Sequence, residues 1–319
     1  MYKISVIMPV WNSERYLAEA VESVINQTFT DFELIALNDG STDQSLQILK
    51  NFAQQDQRIK VISYEHQGYS PLLNLGLSMA KGEYIARMDS DDICTPERFE
   101  KQVEFLDNHL DYVAVGAQAL RIDPEGDPIA YIDFPLDNDA IDTSQMNGKG
   151  KIMHPASMIR KKVLLEINGY RPEFEPGEDY DLFLRLAEVG KLANLPDVLL
   201  KYRMHTKNVT VKKKEHHQQV KQQALQEAYE RRNLNQKTVP TILINDSPNQ
   251  ESDFRFLWME MALSHGFYQS ARKNAWLGFQ AKPFSQHSIK SLILGFGGIL
   301  TSYSRKIYHN YFPVFRQKS

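Results

Sequence analysis

The chain has 319 residues, 42% of them hydrophobic and 24% charged, with a formal net charge of −3. That composition builds a full apolar core and excludes a disordered or fibrous chain, and the length suits one large α/β domain with an appendage, or two domains. The single cysteine, Cys94, excludes a disulfide framework and a cysteine-based zinc site and fits a reducing compartment.

The N-terminal run is apolar only from Ile4 to Trp11, and Glu14 and Arg15 follow at once. This is too short for a signal peptide and reads as a first strand. No stretch reaches the ~18 uninterrupted apolar residues of a membrane span, so the chain is expected in the cytoplasm. Charge is spread unevenly. Eight Lys or Arg and no Asp or Glu lie between Met261 and Ser319, which leaves −11 on the remainder.

Short runs rich in Ile, Val and Leu at 4–10, 32–38, 59–65 and 83–89 predict strands. Between them, 13–27, 41–55 and 70–82 carry helical spacing, with Leu17, Val21, Val24 and Ile25 on one face. Ser13 and Ser41 are expected as helix N-caps and Gly82 as a C-cap. Strand and helix alternating at about 25 residues predict a parallel, doubly wound sheet, which binds ligands outside the carboxyl ends of its strands. A helix is expected from Pro96 to about His109 and a strand at 112–120, followed by an irregular insertion at 123–150. Beyond it come a strand and short helix at 154–170, and a helix at 177–190 with Leu182, Leu186 and Val189 inward. A last strand at 198–205 leads into a mainly helical tail.

Four short segments carry chemistry-bearing side chains. In "NDGSTD" (38–43), Asp39 is either turn chemistry or an acceptor for a base N–H at the sheet edge. In "MDSDD" (88–92), three carboxylates fall within four positions. Strand alternation would turn Asp89 and Asp91 to one side, and two hard oxygen donors around an open site suit Mg2+ or Mn2+. The same acids could instead favour the helix that starts near Pro96. Glu178 and Asp179 in "GEDYDL" follow a Pro-Gly turn at a helix start, and His205 ends "YRMH"; in isolation each reads as structural.

Taken in order and spacing, "PVWN", "NDGST", "DSDD", "GEDYDL" and "YRMH" resemble the family 2 glycosyltransferases over about residues 1–210. The resemblance implies a GT-A fold: an α/β, Rossmann-like mixed central sheet flanked by helices. It implies a catalytic domain at 1–210, with a nucleotide-sugar half at about 1–120 and an acceptor half at about 121–210. The mainly helical region 211–319 lies outside it. Implied with the fold is an inverting, metal-dependent transfer from a nucleotide sugar, often UDP-linked. By the resemblance Pro9, Trp11, Asn12 and Glu14 line the nucleotide pocket, and Asp39 contacts the base. Asp89 and Asp91 form the DxD motif, Asp91 as the metal ligand and Asp89 nearer the ribose. Asp179 is the base, with Glu178 its nearest competitor, and His205 closes on the metal or diphosphate. "HPASMIRK", which holds His154, and "NGYRPEF" look like acceptor-side segments.

The chemistry fits these residue types. A cation held by Asp91 would neutralise charge on a departing diphosphate, and a carboxylate at Asp179 would take the proton of an acceptor hydroxyl. The acceptor is expected to be a bacterial surface glycan on a lipid carrier. The basic, aromatic segment after Glu260 is expected to touch the inner face of an anionic membrane. Two rivals stand beside this reading. A sugar nucleotidyltransferase needs a glycine-rich basic loop after the first strand, and "PVWNSERY" has no glycine. A catalytically silent nucleotide- or glycan-binding module would have lost the carboxylates, yet all are present.

Overall fold

The computed structural model describes residues 2–206, 214–242, 248, 250–283 and 286–297. By its contacts the chain forms two compact units. The first gathers Met1–Ala119, Asp133–Tyr202 and Lys212–Ile244; the second gathers Leu120–Ile132, Arg203–Val211 and Asn245–Ser319.

The first unit opens with β1 (Ile4–Val10), α1 (Leu17–Ile25), β2 (Phe32–Asp39), α2 (Ser45–Gln55), β3 (Ile59–Tyr64), α3 (Tyr69–Met79) and β4 (Tyr84–Arg87). Every residue of β1 and β2 is buried, as expected of parallel strands covered on both faces. β1 runs parallel to β2 and β4, and β2 runs parallel to β3. The sheet continues through β5 (Ile93–Cys94), β6 (Tyr112–Ile122), β8 (Met158–Arg160) and β9 (Lys191–Arg203), in the order β3-β2-β1-β4-β8-β6-β9-β5, with β7 (Pro128–Ile132) beside β6. β8 is antiparallel to both β4 and β6, so the sheet is mixed.

The register aims the site. Val10 pairs with Asn38 and Ile7 with Arg87, so the segments after β1, β2 and β4 leave the sheet at one end. β8 starts at that same end, because Met158 pairs with Ala86. Chain order reverses around β1, the place where open α/β sheets form a ligand crevice.

Packing explains several glycines. A Cβ at Gly76 of α3 would lie 2.7 Å from Ile7 Cγ2, which is how closely that helix rides on β1. Gly82 is not a helix cap. The helix ends at Ala80, and a Cβ at Gly82 would meet Ser5 N at 2.4 Å. Ser13 and Ser41 are not caps either; Tyr16 and Gln44 take those positions without side-chain hydrogen bonds.

Other expectations shift in detail. The stretch 123–150 is not irregular: it holds β7 and α5 (Asn138–Met146), whose N-cap Asp137 accepts from Ala140 N at 2.9 Å. After α4 (Arg98–Asn108) and α6 (Lys161–Glu166) comes α7 (Glu178–Leu186). Leu182 and Leu186 of α7 are fully buried, whereas Val189 lies beyond its end and is 53% exposed. The last strand is longer than its sequence pattern, starting at Lys191. α8 (Lys214–Arg231) buries Val220, Ala224, Leu225 and Ala228 against Phe174, Tyr180 and Leu184, so 212–244 groups with the first unit.

In the second unit, α9 (Glu251–Ser264), α10 (Tyr268–Ala281) and α11 (Gln286–Gly297) enclose Ile129 of β7 with Phe254, Trp258, Met259, Ala271 and Ala275. Arg255 binds Glu125 through two bonds of 2.6 and 2.8 Å, and Lys273 reaches Asp123 at 2.6 Å. Burial pushes the Glu125 carboxyl up, but the Arg255 and Lys273 charges outweigh it and hold it down at about 2. Residues 298–319, the end of the basic segment, lie outside the described residues.

Candidate active site

Two loops clasp each other at the exit of β1 and β2. Asn12 Oδ1 accepts from Thr42 N at 2.8 Å, and Asn12 N donates to Ser41 Oγ at 3.0 Å. Glu14 and Asp43 exchange similar bonds, Gln44 N to Glu14 Oε2 at 2.9 Å and Glu14 N to Asp43 Oδ2 at 3.0 Å. Asn12 sits at φ 49°, a left-handed conformation that asparagine tolerates better than most residues. These side chains shape the loop that carries Trp11. Pro9 is buried within β1, in register with Leu37.

Trp11 is 52% exposed and stacks on His66, with ring centroids 5.1 Å apart and planes 21° apart. His66 Nδ1 lies 2.8 Å from Asp39 Oδ2. Asp39 also accepts from Gln67 N at 2.8 Å and Gly68 N at 3.3 Å, which ties the end of β2 to the loop before α3. Asp39, Trp11 and His66 thus form one wall.

The acidic segment follows β4. Asp89, Asp91 and Asp92 each offer a carboxylate oxygen within 4.8 Å of the others. Strand alternation is not the cause, because β4 ends at Arg87 and the turn after it gathers the three. Asp92, which the sequence motif leaves aside as a ligand, belongs to the group. Asp89 Oδ1 accepts from Tyr69 Oη at 2.6 Å and from Arg87 Nη2 at 2.5 Å. Arg87 is 1% exposed and lies 4.9 Å from the Tyr69 ring centroid. A buried cation and a phenol therefore fix this carboxylate through one of its oxygens.

The far wall comes from β8 and α7. His154 Nε2 lies 2.8 Å from Tyr170 Oη, and burial, with the Arg87 charge, keeps its imidazole well below its ordinary value. It is neutral at pH 7. Glu175 Oε2 accepts from Tyr69 N and Ser70 N at 3.0 Å each, supplying a distant N-cap for α3. Glu178 is 6% exposed; burial and the adjacent Asp179 push its carboxyl up to about 8. Asp179 is half-buried at the start of α7, with Lys221 and His217 of α8 within its field.

The structure thus groups Trp11, Asp39, Asp89 and Asp91 on the β1–β2–β4 side. Glu178, Asp179 and His154 lie toward α7 and β8, and Arg87 exerts its charge on both Glu178 and His154. His205 follows β9 and belongs to the second unit. Sequence reasoning missed Arg87, Tyr69, Glu175, His66 and Lys221. Only the polar character of those positions could have flagged them.

Residues 5–167 match the sequence profile described as glycosyl transferase family 2. The O-antigen biosynthesis glycosyltransferase WbnJ of Escherichia coli is 37% identical over 210 residues, 64% of this chain and 81% of its own. The chain matches between 65% and 81% of the length of three such curated relatives. The fold is shared with S. aureus TarS, solved in complex with UDP-GlcNAc, at TM-score 0.59 and 19% identity over 95% of this chain and 87% of that one. It is also shared with the mannosyltransferase PcManGT of Pyrobaculum calidifontis, solved with GDP-Man and Mn2+, at TM-score 0.55 and 15% identity over 96% and 83%. The mixed sheet with helices on both faces is the GT-A fold, and this chain belongs to glycosyltransferase family 2.

Proposed function

We propose that the protein transfers a sugar from a nucleotide-sugar donor, a UDP-sugar in the first instance, to an acceptor hydroxyl with inversion at the anomeric carbon. The observation that carries this reading is the gathering of Asp89, Asp91 and Asp92 at the end of β4, in the same sheet-end region as the Trp11–Asp39 wall. TarS, solved with UDP-GlcNAc, and WbnJ, named for O-antigen biosynthesis, support a UDP-sugar donor and a bacterial glycan acceptor, the latter on a lipid carrier.

Three carboxylate oxygens within 4.8 Å of one another fit a hard divalent cation, and PcManGT was solved with Mn2+. Asp91, with Asp89 and Asp92, would hold Mn2+ or Mg2+. Such a cation supplies Lewis-acid neutralisation of the charge on a departing diphosphate. Trp11 offers an exposed ring face to the base, and Asp39 an acceptor oxygen for its N–H. Tyr69 and Arg87 hold Asp89 still. Asp179 takes the acceptor proton as the hydroxyl attacks, while His154 and Tyr170 shape the acceptor side. The catalytic machinery lies in residues 1–210, and α8 braces it.

The test is a panel of UDP-, GDP- and dTDP-sugars assayed with Mn2+ for release of nucleoside diphosphate, in wild type and Asp179→Asn. A general base contributes about 10²–10⁴-fold to rate, so the variant is expected to lose kcat by that factor while donor affinity holds. Near-normal turnover in Asp179→Asn would place the base elsewhere; lost UDP binding would place Asp179 in the donor site.

A further inference from the structure

His66 makes two contacts that the base pocket would otherwise offer to another flat ring. Its imidazole stacks on Trp11, with centroids 5.1 Å apart and planes 21° apart. Its Nδ1 lies 2.8 Å from Asp39 Oδ2. A carboxylate oxygen accepts, so the hydrogen of this bond sits on Nδ1. A nucleobase held by Trp11 and Asp39 would present the same two features, a ring face and a ring N–H.

The backbone under His66 is anchored, while the ring stands at the surface. Gln67 N and Gly68 N donate to Asp39 at 2.8 and 3.3 Å. A Cβ at Gly40, which sits at φ 65°, would lie 2.9 Å from His66 N, so the loop passes directly over the end of β2. Above this anchor the imidazole side chain is 58% exposed, whereas that of Asp39 is 6% exposed. Rotation about χ1 to another staggered position carries the ring away from Asp39 Oδ2 and Trp11 without moving the loop.

Spacing excludes a base between the two rings. Atoms in contact stand about 3.5–4 Å apart, so an inserted base would need about 7 Å between the flanking rings. The centroids are 5.1 Å apart. A base that stacks on this face of Trp11 and donates to Asp39 Oδ2 therefore takes the place of the imidazole. We infer that His66 is a built-in stand-in for the nucleobase: its ring holds the base position, and the donor binds by displacing it. This rests on the reading of Trp11 and Asp39 as the base pocket. One stack and one N–H···O bond are exchanged for another, so apparent affinity is lowered by the fraction of molecules in which His66 is turned out. Only a base with a ring N–H restores the bond that His66 gives up. Uracil has that N–H at N3; cytosine has a bare nitrogen there.

The test is calorimetric titration of wild type and His66→Ala, folding checked by circular dichroism, with UDP, CDP and pyrophosphate, each with Mg2+. His66→Ala is expected to bind UDP about three- to tenfold more tightly than wild type does. CDP is expected to bind more weakly than UDP in both proteins. Pyrophosphate, which has no base, is expected to bind both proteins equally. Unchanged or weaker UDP binding in a folded His66→Ala would overturn the inference, as would an equal gain for pyrophosphate or CDP binding as tight as UDP. Nuclear magnetic resonance of the ring-labelled histidines reads the displacement itself, His66 being the signal missing from His66→Ala. Saturating UDP with Mg2+ is expected to remove the ring-current shift that Trp11 imposes on it; a shift that persists in the complex would overturn the inference. Absence of nucleotide binding in both proteins would defeat the base-pocket reading as well. Binding in wild type that His66→Ala does not tighten would defeat the stand-in alone.

Discussion

Asp89 shows how far single residues can be read. Its crowding with Asp91 and Asp92 is visible in five letters, because like charges that close call for a cation or for solvent. What holds Asp89 is not visible. Tyr69 lies twenty positions earlier, and it meets Asp89 only because β1 brings α3 and β4 side by side. Glu175 reaches the start of α3 across 106 positions, and no local pattern marks such a partner. Glu178 has a consequence that stability measurements can read. Its carboxyl rises from an ordinary 4.5 to about 8 in the fold, chiefly through burial. The folded state therefore binds that proton more tightly than the unfolded chain does. The stabilisation is complete below about pH 4.5 and is lost as pH rises to about 8, on the order of a few kcal/mol. Glu178→Gln cannot lose it. Urea midpoints at pH 5, 7 and 9 are expected to show the variant gaining steadily on wild type.

At the level of elements, β1 to β4 and α1 to α3 are legible because short apolar runs, buried on both faces, alternate there with helical spacing. The segment 123–150 was not. α5 reads "NDAIDTSQM", polar on most faces, and it folds because Ile141 and Met146 join apolar clusters built from residues distant in sequence. In the sequence β9 shows its strand pattern only from 198, because Asn194, Pro196 and Asp197 break the apolar run of a strand that begins at Lys191. α8 was harder still. It is rich in Gln and charge, and its buried stripe of Val220, Ala224, Leu225 and Ala228 is built partly of alanines. That stripe makes α8 part of the first unit. Leu225 is fully buried, so Leu225→Ala is expected to destabilise by about 2–5 kcal/mol. Chemical denaturation followed by circular dichroism checks this; a loss within about 0.5 kcal/mol would mean that α8 carries little of the unit's stability.

For the whole molecule, the sequence pointed to two features, the order of the site motifs and a C-terminal segment free of acids. The described part of that segment shows Tyr268, Arg272 and Trp276 exposed at four-residue intervals on α10. Ile289, Ile293 and Phe296 are exposed on α11. No helix among the described residues is long and apolar enough to cross a membrane. With eight basic residues and no acid after Glu260, these faces support the proposal that the second unit rests on an anionic bilayer. Flotation with phosphatidylglycerol-rich vesicles is expected to carry wild type upward and leave Trp276→Ser/Ile293→Asp/Phe296→Asp behind; equal flotation would refute the contact. Donor binding in this protein is proposed to rest on the carboxylates after β4, which would bind a nucleoside diphosphate together with a divalent cation. Calorimetric titration of UDP in the presence of Mn2+ tests it most directly, on wild type and Asp91→Ala with folding checked by circular dichroism. Mn2+-dependent binding is expected in wild type, with most of it lost in a folded Asp91→Ala; equal affinity in both proteins would contradict metal-assisted donor binding at these carboxylates.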